Sequence, residues 1–295
     1  MKYLPINCDL FIHNRSLLNN KLKDDSIAIL NSNDIMPTNS DGTMPFKQNS
    51  DLFWATGIDQ EESVFAIIKQ NNTTSEFLFV KETNELIAIW EGAKLSKELA
   101  TKTSGIKNIF WLHEMDDILS KEISSVSTIY LNKNIHSRAA KIVQTRDDRY
   151  RKHIKDSFPT KKIEEIAPIM HALRCVKSSS EIELMQKACD ITEKGLRRIL
   201  PLIKPGIMEY EIEAELMHEF LSNRSNGFAY QPIIGSGSDS CVLHYIENNK
   251  QCKDGDVLLM DFGAEYANYT SDLTRTVPVN GVFNDRQKNV YNAVH

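Results

Sequence analysis

The apolar run Val257-Leu258-Leu259-Met260 ends directly in an aspartate, Asp261, and no other feature restricts the chain as much. Four apolar residues in succession read as a buried strand. A lone ionised carboxylate at its end would cost several kcal/mol unless a cation or a dense shell of hydrogen bonds met it. Eleven residues later, in YTSDLTRT, Asp272 stands just ahead of the next apolar strand. A hairpin turning near Ala267-Asn268 would set both carboxylates on one side of the ladder. Paired oxygen donors of that kind suit hard divalent ions such as Mn²⁺, Mg²⁺ or Zn²⁺. The competing reading is that each aspartate caps a turn.

A chain of 295 residues favours two cores over one. With 41% hydrophobic and 25% charged residues it has the balance of a globular protein. No apolar run approaches the ~18–20 residues that cross a bilayer, and MKYLPINCDLF lacks the apolar core of a signal peptide, so the expected location is the cytoplasm. The five cysteines, Cys8, Cys175, Cys189, Cys241 and Cys252, form no CxxC pair and are expected to be reduced, mostly buried thiols. A net charge of -5 gives no reason to bind nucleic acid or anionic membrane. The basic segment Arg146 to Lys155 reads as the solvated side of a helix whose apolar stripe is Ile154 and Phe158.

In the first half, Ser26–Leu30, Ser63–Lys69 and Glu76–Val80 read as strands, and Lys94–Thr101 and Ser137–Lys155 as helices, giving an α/β layer. The pattern changes around Ile163 to Lys177. Ser179 or Ser180 can cap a helix with Ile182, Met185, Ala188, Cys189 and Ile191 at helical spacing. Lys204-Pro205-Gly206 stops it, and Met208–Leu221 begins a second amphipathic helix. Strand patterns follow at Ala229–Ile234, Val242–Tyr245, Val257–Phe262 and Thr274–Pro278, then a helix from Asn284-Asp285. Helices followed by strands indicate an α+β domain with largely antiparallel pairing.

The stretch AYQPIIGSGSDSCVLHYIENN, followed by DGDVLLMDFGAEYANYTSDLTRTVPVNGVF, resembles the aminopeptidase P family of pita-bread metallopeptidases. PFKQNSDLFWATGI and IAIWEGAKL are similar to that family's N-terminal domain. The resemblance implies an α/β N-terminal domain over 1–166 and an α+β pita-bread catalytic domain over 167–295, of which only the first half is present. It assigns Asp261 to one metal and Asp272 to a bridge between two. The pair of divalent ions is expected to be Mn²⁺, with Zn²⁺, Co²⁺ or Mg²⁺ as alternatives, sharing a hydroxide that attacks the scissile carbonyl. His244 is implied to be a catalytic residue lining the substrate site, although a single histidine in a strand can equally be a satisfied core residue. Trp90 is implied to reach toward substrate, against plain core packing, and Asp41 to serve a neighbouring subunit, against a simple turn role.

The implied activity is release of the N-terminal residue from peptides with proline second, by a homodimer or homotetramer. One histidine and two glutamates of the family site are expected beyond His295, so a further polypeptide segment is expected to complete the domain. Phe262 and Ser271 depart from the smaller residues common at those positions. The alternatives are a prolidase and a catalytically inactive pita-bread module that binds peptides or proteins. Other signals carry less. Gly235-Ser236-Gly237 lacks a third glycine, His113-Glu114 and His218-Glu219 lack the second histidine of HExxH, and no GxSxG occurs.

Overall fold

The computed structural model describes residues 2–139 and 142–295, and the chain divides into two units. The first spans Pro5–Val176; the second spans Lys177–His295 together with the residues ahead of Pro5. The break falls between Val176 and Lys177 rather than after 166. Ile166 and Met170 are fully buried in the first unit's core, which keeps the following helix with that unit.

The first unit runs α1 (Asp9–Lys21), β1 (Ser26–Asn31), α2 (Ser50–Thr56), β2 (Val64–Gln70), β3 (Thr73–Val80), α3 (Glu85–Glu91), α4 (Lys97–Ser104), β4 (Asn108–Trp111), α5 (Met115–Ser125), β5 (Thr128–Leu131), α6 (Arg146–Ser157), β6 (Lys162–Glu165) and α7 (Ala167–Cys175). The strands form one mixed sheet in the order β4-β3-β2-β1-β5-β6. Alternate residues of β1 enter different cores: Ala28 and Leu30 pack with α1 and α2 residues such as Leu18 and Trp54, while Ile27 and Ile29 pack with Leu119 and Ile123 of α5. A strand covered on both faces needs apolar residues at every position, which is why SIAIL reads as a continuous run. Burial of each such side chain contributes about 1.5–3 kcal/mol.

Strands β1 to β3 lie where the sequence pattern puts them. The helix expected over Ser137–Lys155 begins only at Arg146, capped by Thr145 with Asp148 closing the capping box, and Ala140 and Lys141 lie outside the described residues. Ser96 caps α4, which carries the helix expected over Lys94–Thr101 on to Ser104.

The second unit continues with α8 (Ser179–Ile199), α9 (Glu209–Ser222), β7 (Gly227–Phe228), β8 (Ile233–Ser236), β9 (Val257–Phe262), β10 (Ala264–Tyr266), β11 (Tyr269–Thr270), β12 (Leu273–Pro278) and α10 (Asp285–Val294). Two antiparallel sheets result, β12-β9-β8 and β11-β10-β7. Ser178, not Ser179 or Ser180, caps α8, its hydroxyl facing the Glu181 amide while the Glu181 carboxylate returns to the Ser178 amide at 2.8 Å. The buried stripe of α8 is Leu184, Ala188, Ile191, Gly195 and Ile199, so Ile182 and Cys189 face solvent. Gly195 is required there, because a Cβ would come within 2.7 Å of the Phe220 ring on α9.

Residues 2–4 dock on this unit. Tyr3 is buried edge-on against Tyr266, the Leu4 amide donates to the Tyr266 hydroxyl at 3.2 Å, and Arg224 donates to the Lys2 carbonyl. On β9, Leu258, Met260 and Phe262 are fully buried, whereas Val257, Leu259 and Asp261 face a half-open side. Beside Val257 and Thr276 of that side lies a cleft of about 1030 Å³, walled by Phe283 and by Val290, Tyr291 and Val294 of α10. No residue of α10 is buried, and Val294 is 85% exposed.

The cysteines also differ from expectation. Only Cys252 is buried, while Cys175, Cys189 and Cys241 are exposed and Cys8 is intermediate. No described helix is long and apolar enough to cross a membrane.

Candidate functional site

Strand β9 delivers Asp261 by simple alternation. Its even-numbered residues fill the core, so Asp261 emerges on the opposite face with partial exposure rather than full burial. The chain then passes through Gly263, β10, a turn at Ala267-Asn268 with positive φ at both residues (53° and 62°), and β11, before Asp272 leads into β12. Two successive residues in the left-handed region match the tight hairpin turn that asparagine tolerates. Strand β12 pairs back on β9 with Thr274 opposite Asp261 and Leu273 opposite Phe262. Asp272 therefore arrives next to the end of β9.

Two devices hold that junction closed. Gly263 passes so near Ser271 that a Cβ would lie 1.9 Å from the Ser271 carbonyl oxygen. The Ser271 hydroxyl lies 2.6 Å from Thr192 Oγ1 of α8, and the Ala264 amide donates to both oxygens, at 3.0 and 2.9 Å. Ser271 thus ties the hairpin to the helix through its hydroxyl. Phe262, the other departure from the family pattern, is fully buried against Phe220 on the core face, away from Asp261.

The carboxylates meet on one atom. Tyr230 Oη lies 2.5 Å from Asp261 Oδ1 and 3.0 Å from Asp272 Oδ1, so one phenolic hydrogen serves two acceptors. Burial, then the hydrogen bond to Asp261, raises the Tyr230 phenol well above its ordinary range and keeps it a donor. Tyr230 is positioned by the backbone: the Ala229 amide donates to the Gly263 carbonyl at 2.8 Å, and β8, three residues on, places Ile233 opposite Asp261.

Among the described residues neither aspartate forms an ion pair, and no group of three or more His, Cys, Asp or Glu side chains is arranged to hold a metal. Two acceptor-only carboxylates sharing a single donor fit a hard divalent cation, whose charge would balance theirs. They supply only part of a coordination shell, since such ions take about six oxygen ligands.

His244 does not lie in a strand. Gly237–Cys241 forms a 3₁₀ turn and residues 242–249 follow as a loop, on which His244 is exposed beside Leu243, itself 90% exposed. The expected strand over Val242–Tyr245 fails because the loop is held by polar side chains from below. Asn248, 1% exposed, accepts from the Ile234 amide and donates to Glu213 and to the Pro232 carbonyl. Glu209 is fully buried and accepts from Ser236, Tyr245 and Lys250.

Trp90 and Asp41 belong to the first unit. Trp90 is 83% exposed on α3, which buries none of its residues, so it is not a core residue. Asp41 is exposed in the turn closed by the Pro37–Thr43 bridge, where the Thr38 amide donates to the Gly42 carbonyl at 2.9 Å. Within the second unit the structure thus brings Asp261 and Asp272 together and leaves His244 on an exposed loop, while Trp90 and Asp41 are exposed residues of the first unit. Sequence reasoning missed Tyr230 and Glu209. Tyr230 lies in the loop ahead of β8, and only the pairing of β8 with β9 brings it to the aspartates.

Residues 183–295 match the model of metallopeptidase family M24, and residues 11–130 match the aminopeptidase P N-terminal domain. The second unit is therefore the first part of a pita-bread metallopeptidase domain behind an α/β domain. The chain belongs to the aminopeptidase P family. It is 31% identical over 287 residues to the Xaa-Pro aminopeptidase of Escherichia coli, covering 96% of this chain and 65% of the relative. It is 30% identical over 256 residues to that of Haemophilus influenzae, covering 87% of this chain and 57% of the relative. A solved aminopeptidase P structure from Bacillus anthracis superposes with a TM-score of 0.92 at 32% identity, over 98% of this chain and 69% of the other. The E. coli aminopeptidase P structure with the inhibitor Pro-Leu gives 0.86 at 28%, over 99% and 66%. The chain spans less than two thirds of the length of these two curated relatives.

Proposed function

We propose that this chain forms the N-terminal domain and first catalytic half of a metal-dependent exopeptidase that releases the first residue of peptides with proline in second position. The observation that carries this reading is the convergence of Asp261 and Asp272 on Tyr230 Oη, on the open face of a sheet in a metallopeptidase domain. In this reading the two aspartates hold divalent cations, Mn²⁺ first, and polypeptide beyond residue 295 supplies the remaining ligands and covers the cleft beside α10. Bound ions of this kind act as Lewis acids toward water and a scissile carbonyl.

The chain's own residues do the rest. Asp261 and Asp272 present acceptor oxygens and fix where the cations sit, with Tyr230 setting their orientation. His244 offers an imidazole to the substrate backbone from its loop. Proline lacks an amide hydrogen and has a fixed φ, so the site must read its ring rather than a donor. Trp90 supplies an exposed aromatic face toward substrate, and Asp41 an exposed carboxylate for a neighbouring subunit's site in a homodimer or homotetramer. A cytoplasmic location accompanies this reading.

The test combines calorimetric titration of the chain with Mn²⁺ and hydrolysis of Xaa-Pro-Yaa tripeptides by the chain joined to its completing segment. Asp261→Asn and Asp272→Asn should each abolish hydrolysis and weaken Mn²⁺ uptake at least tenfold. Equal uptake by the wild type and both variants would overturn the assignment. Cleavage of Xaa-Pro dipeptides alone would move it to a prolidase, and absence of Mn²⁺ uptake to a peptide-binding module.

A further inference from the structure

Glu209, the first residue of α9, is fully buried and forms no ion pair among the described residues. Four donors surround it instead. Oε1 accepts from the Ser236 amide at 2.8 Å and the Ser236 hydroxyl at 2.7 Å; Oε2 accepts from the Tyr245 hydroxyl at 2.8 Å and the Lys250 amide at 3.0 Å. Those three residues are the beginning, middle and end of the segment that carries His244. The Glu209 amide also donates to the Lys250 carbonyl, fastening the same end to the helix start.

Asn248 and the Lys250–Asp239 ion pair hold the rest of the segment. Val242, Leu243 and Ile246 are 51%, 90% and 47% exposed, and Tyr245 and Asn248 are the buried residues between Ser236 and Lys250. With the Tyr245 ring as its one buried apolar group, the loop takes its conformation from its polar anchors, and a carboxylate sharing four donors is a rigid one. Tyr245 directly follows His244, and burial together with the bond to Glu209 raises its phenol far above the ordinary range, so it remains a donor. We propose that Glu209 is a positioning residue: through Tyr245, Ser236 and Lys250 it fixes the loop that presents His244 to the substrate. The proposal rests on the reading of His244 as a substrate-binding residue.

Two variants separate positioning from mere support. Tyr245→Phe deletes the hydroxyl's bond to Glu209 together with its longer contact to Asn249 and keeps the ring; Glu209→Gln keeps the shape and replaces one acceptor oxygen with a donor facing other donors. Hydrogen exchange of the 236–250 amides, Mn²⁺ titration and tripeptide kinetics are measured for each, beside His244→Ala. The expected result is faster exchange confined to residues 236–250, unchanged Mn²⁺ affinity, and KM raised roughly tenfold by Tyr245→Phe with kcat changed far less. The double variant His244→Ala/Tyr245→Phe should then be no worse than His244→Ala. If Tyr245→Phe and Glu209→Gln lower only the melting temperature and leave KM unchanged while His244→Ala raises it, the positioning role is refuted. If His244→Ala itself leaves KM unchanged, the reading of His244 falls and takes this proposal with it.

Discussion

Arg15 is 1% exposed, an unusual place for a guanidinium, and its bonds explain it. Nη1 donates at 2.9 Å to the carbonyls of Ala55 and Ser104, near the C-terminal ends of α2 and α4, and Nε pairs with Glu76 at 2.9 Å. One planar side chain thus satisfies two helix ends that have lost their intrahelical donors. Arg15→Met should lower the stability of the first unit by about 3 kcal/mol, measured by urea denaturation, because both carbonyls and Glu76 lose their partner. Tyr230 is the corresponding side chain of the second unit. Tyr230→Phe leaves two carboxylates facing one another without a donor and should cost about 1 kcal/mol in chelator, with the loss shrinking when Mn²⁺ is added; thermal melts in both conditions check it. Asp261 and Asp272 were legible as a pair because strand alternation and a tight turn follow from residue type. The partner between them was not, since the hydroxyl comes from a loop whose path depends on the Ala229 to Gly263 bond.

Strands and helices were legible wherever burial is simple. Strand β1 is covered on both faces, so an unbroken apolar run marked it, and β9 and β12 emerged with their bounds nearly intact. Val242–Tyr245 misled because a short apolar run reads as strand even when only Tyr245 is buried and the backbone is held by Glu209 and Asn248. In α8 the apolar residues outnumber the sites that face the core, so spacing alone could not choose between the Leu184–Ala188–Ile191 stripe and the one through Ile182. The hairpin at Gly263 makes a sharp test of element geometry. Gly263→Ala must push the Ser271 carbonyl aside and should destabilise the second unit by more than about 2 kcal/mol while weakening Mn²⁺ uptake, by denaturation and calorimetry respectively. Unaltered stability would mean that the crossing is not tight.

The two-unit division was legible from length and texture, but not its position, because α7 is covalently next to the second unit and packs its Met170 in the first. The molecule also carries an acid-sensitive group that composition does not reveal. Asp147 sits in the first turn of α6, where burial, and next the nearby Asp51 and Asp148, raise its carboxyl to about 6 against the relief of the Asn31 amide. A carboxyl raised above its unfolded value binds its proton more tightly in the folded state. Its contribution is therefore complete below about pH 4 and is lost as pH climbs through 6, on the order of 3 kcal/mol at most. Asp147→Asn should flatten that part of the pH–stability curve, as read from melts between pH 4 and 7. A wild-type curve already flat over that range would contradict the assignment.

The docking of Tyr3 and Leu4 on Tyr266 joins residues 262 positions apart in the polypeptide. During synthesis residues 2–4 must stay unplaced until Tyr266 has left the ribosome, since it supplies their acceptor. A tag fused ahead of Lys2 would accordingly strain the unit that contains Tyr266, and spare the one whose residues it immediately precedes.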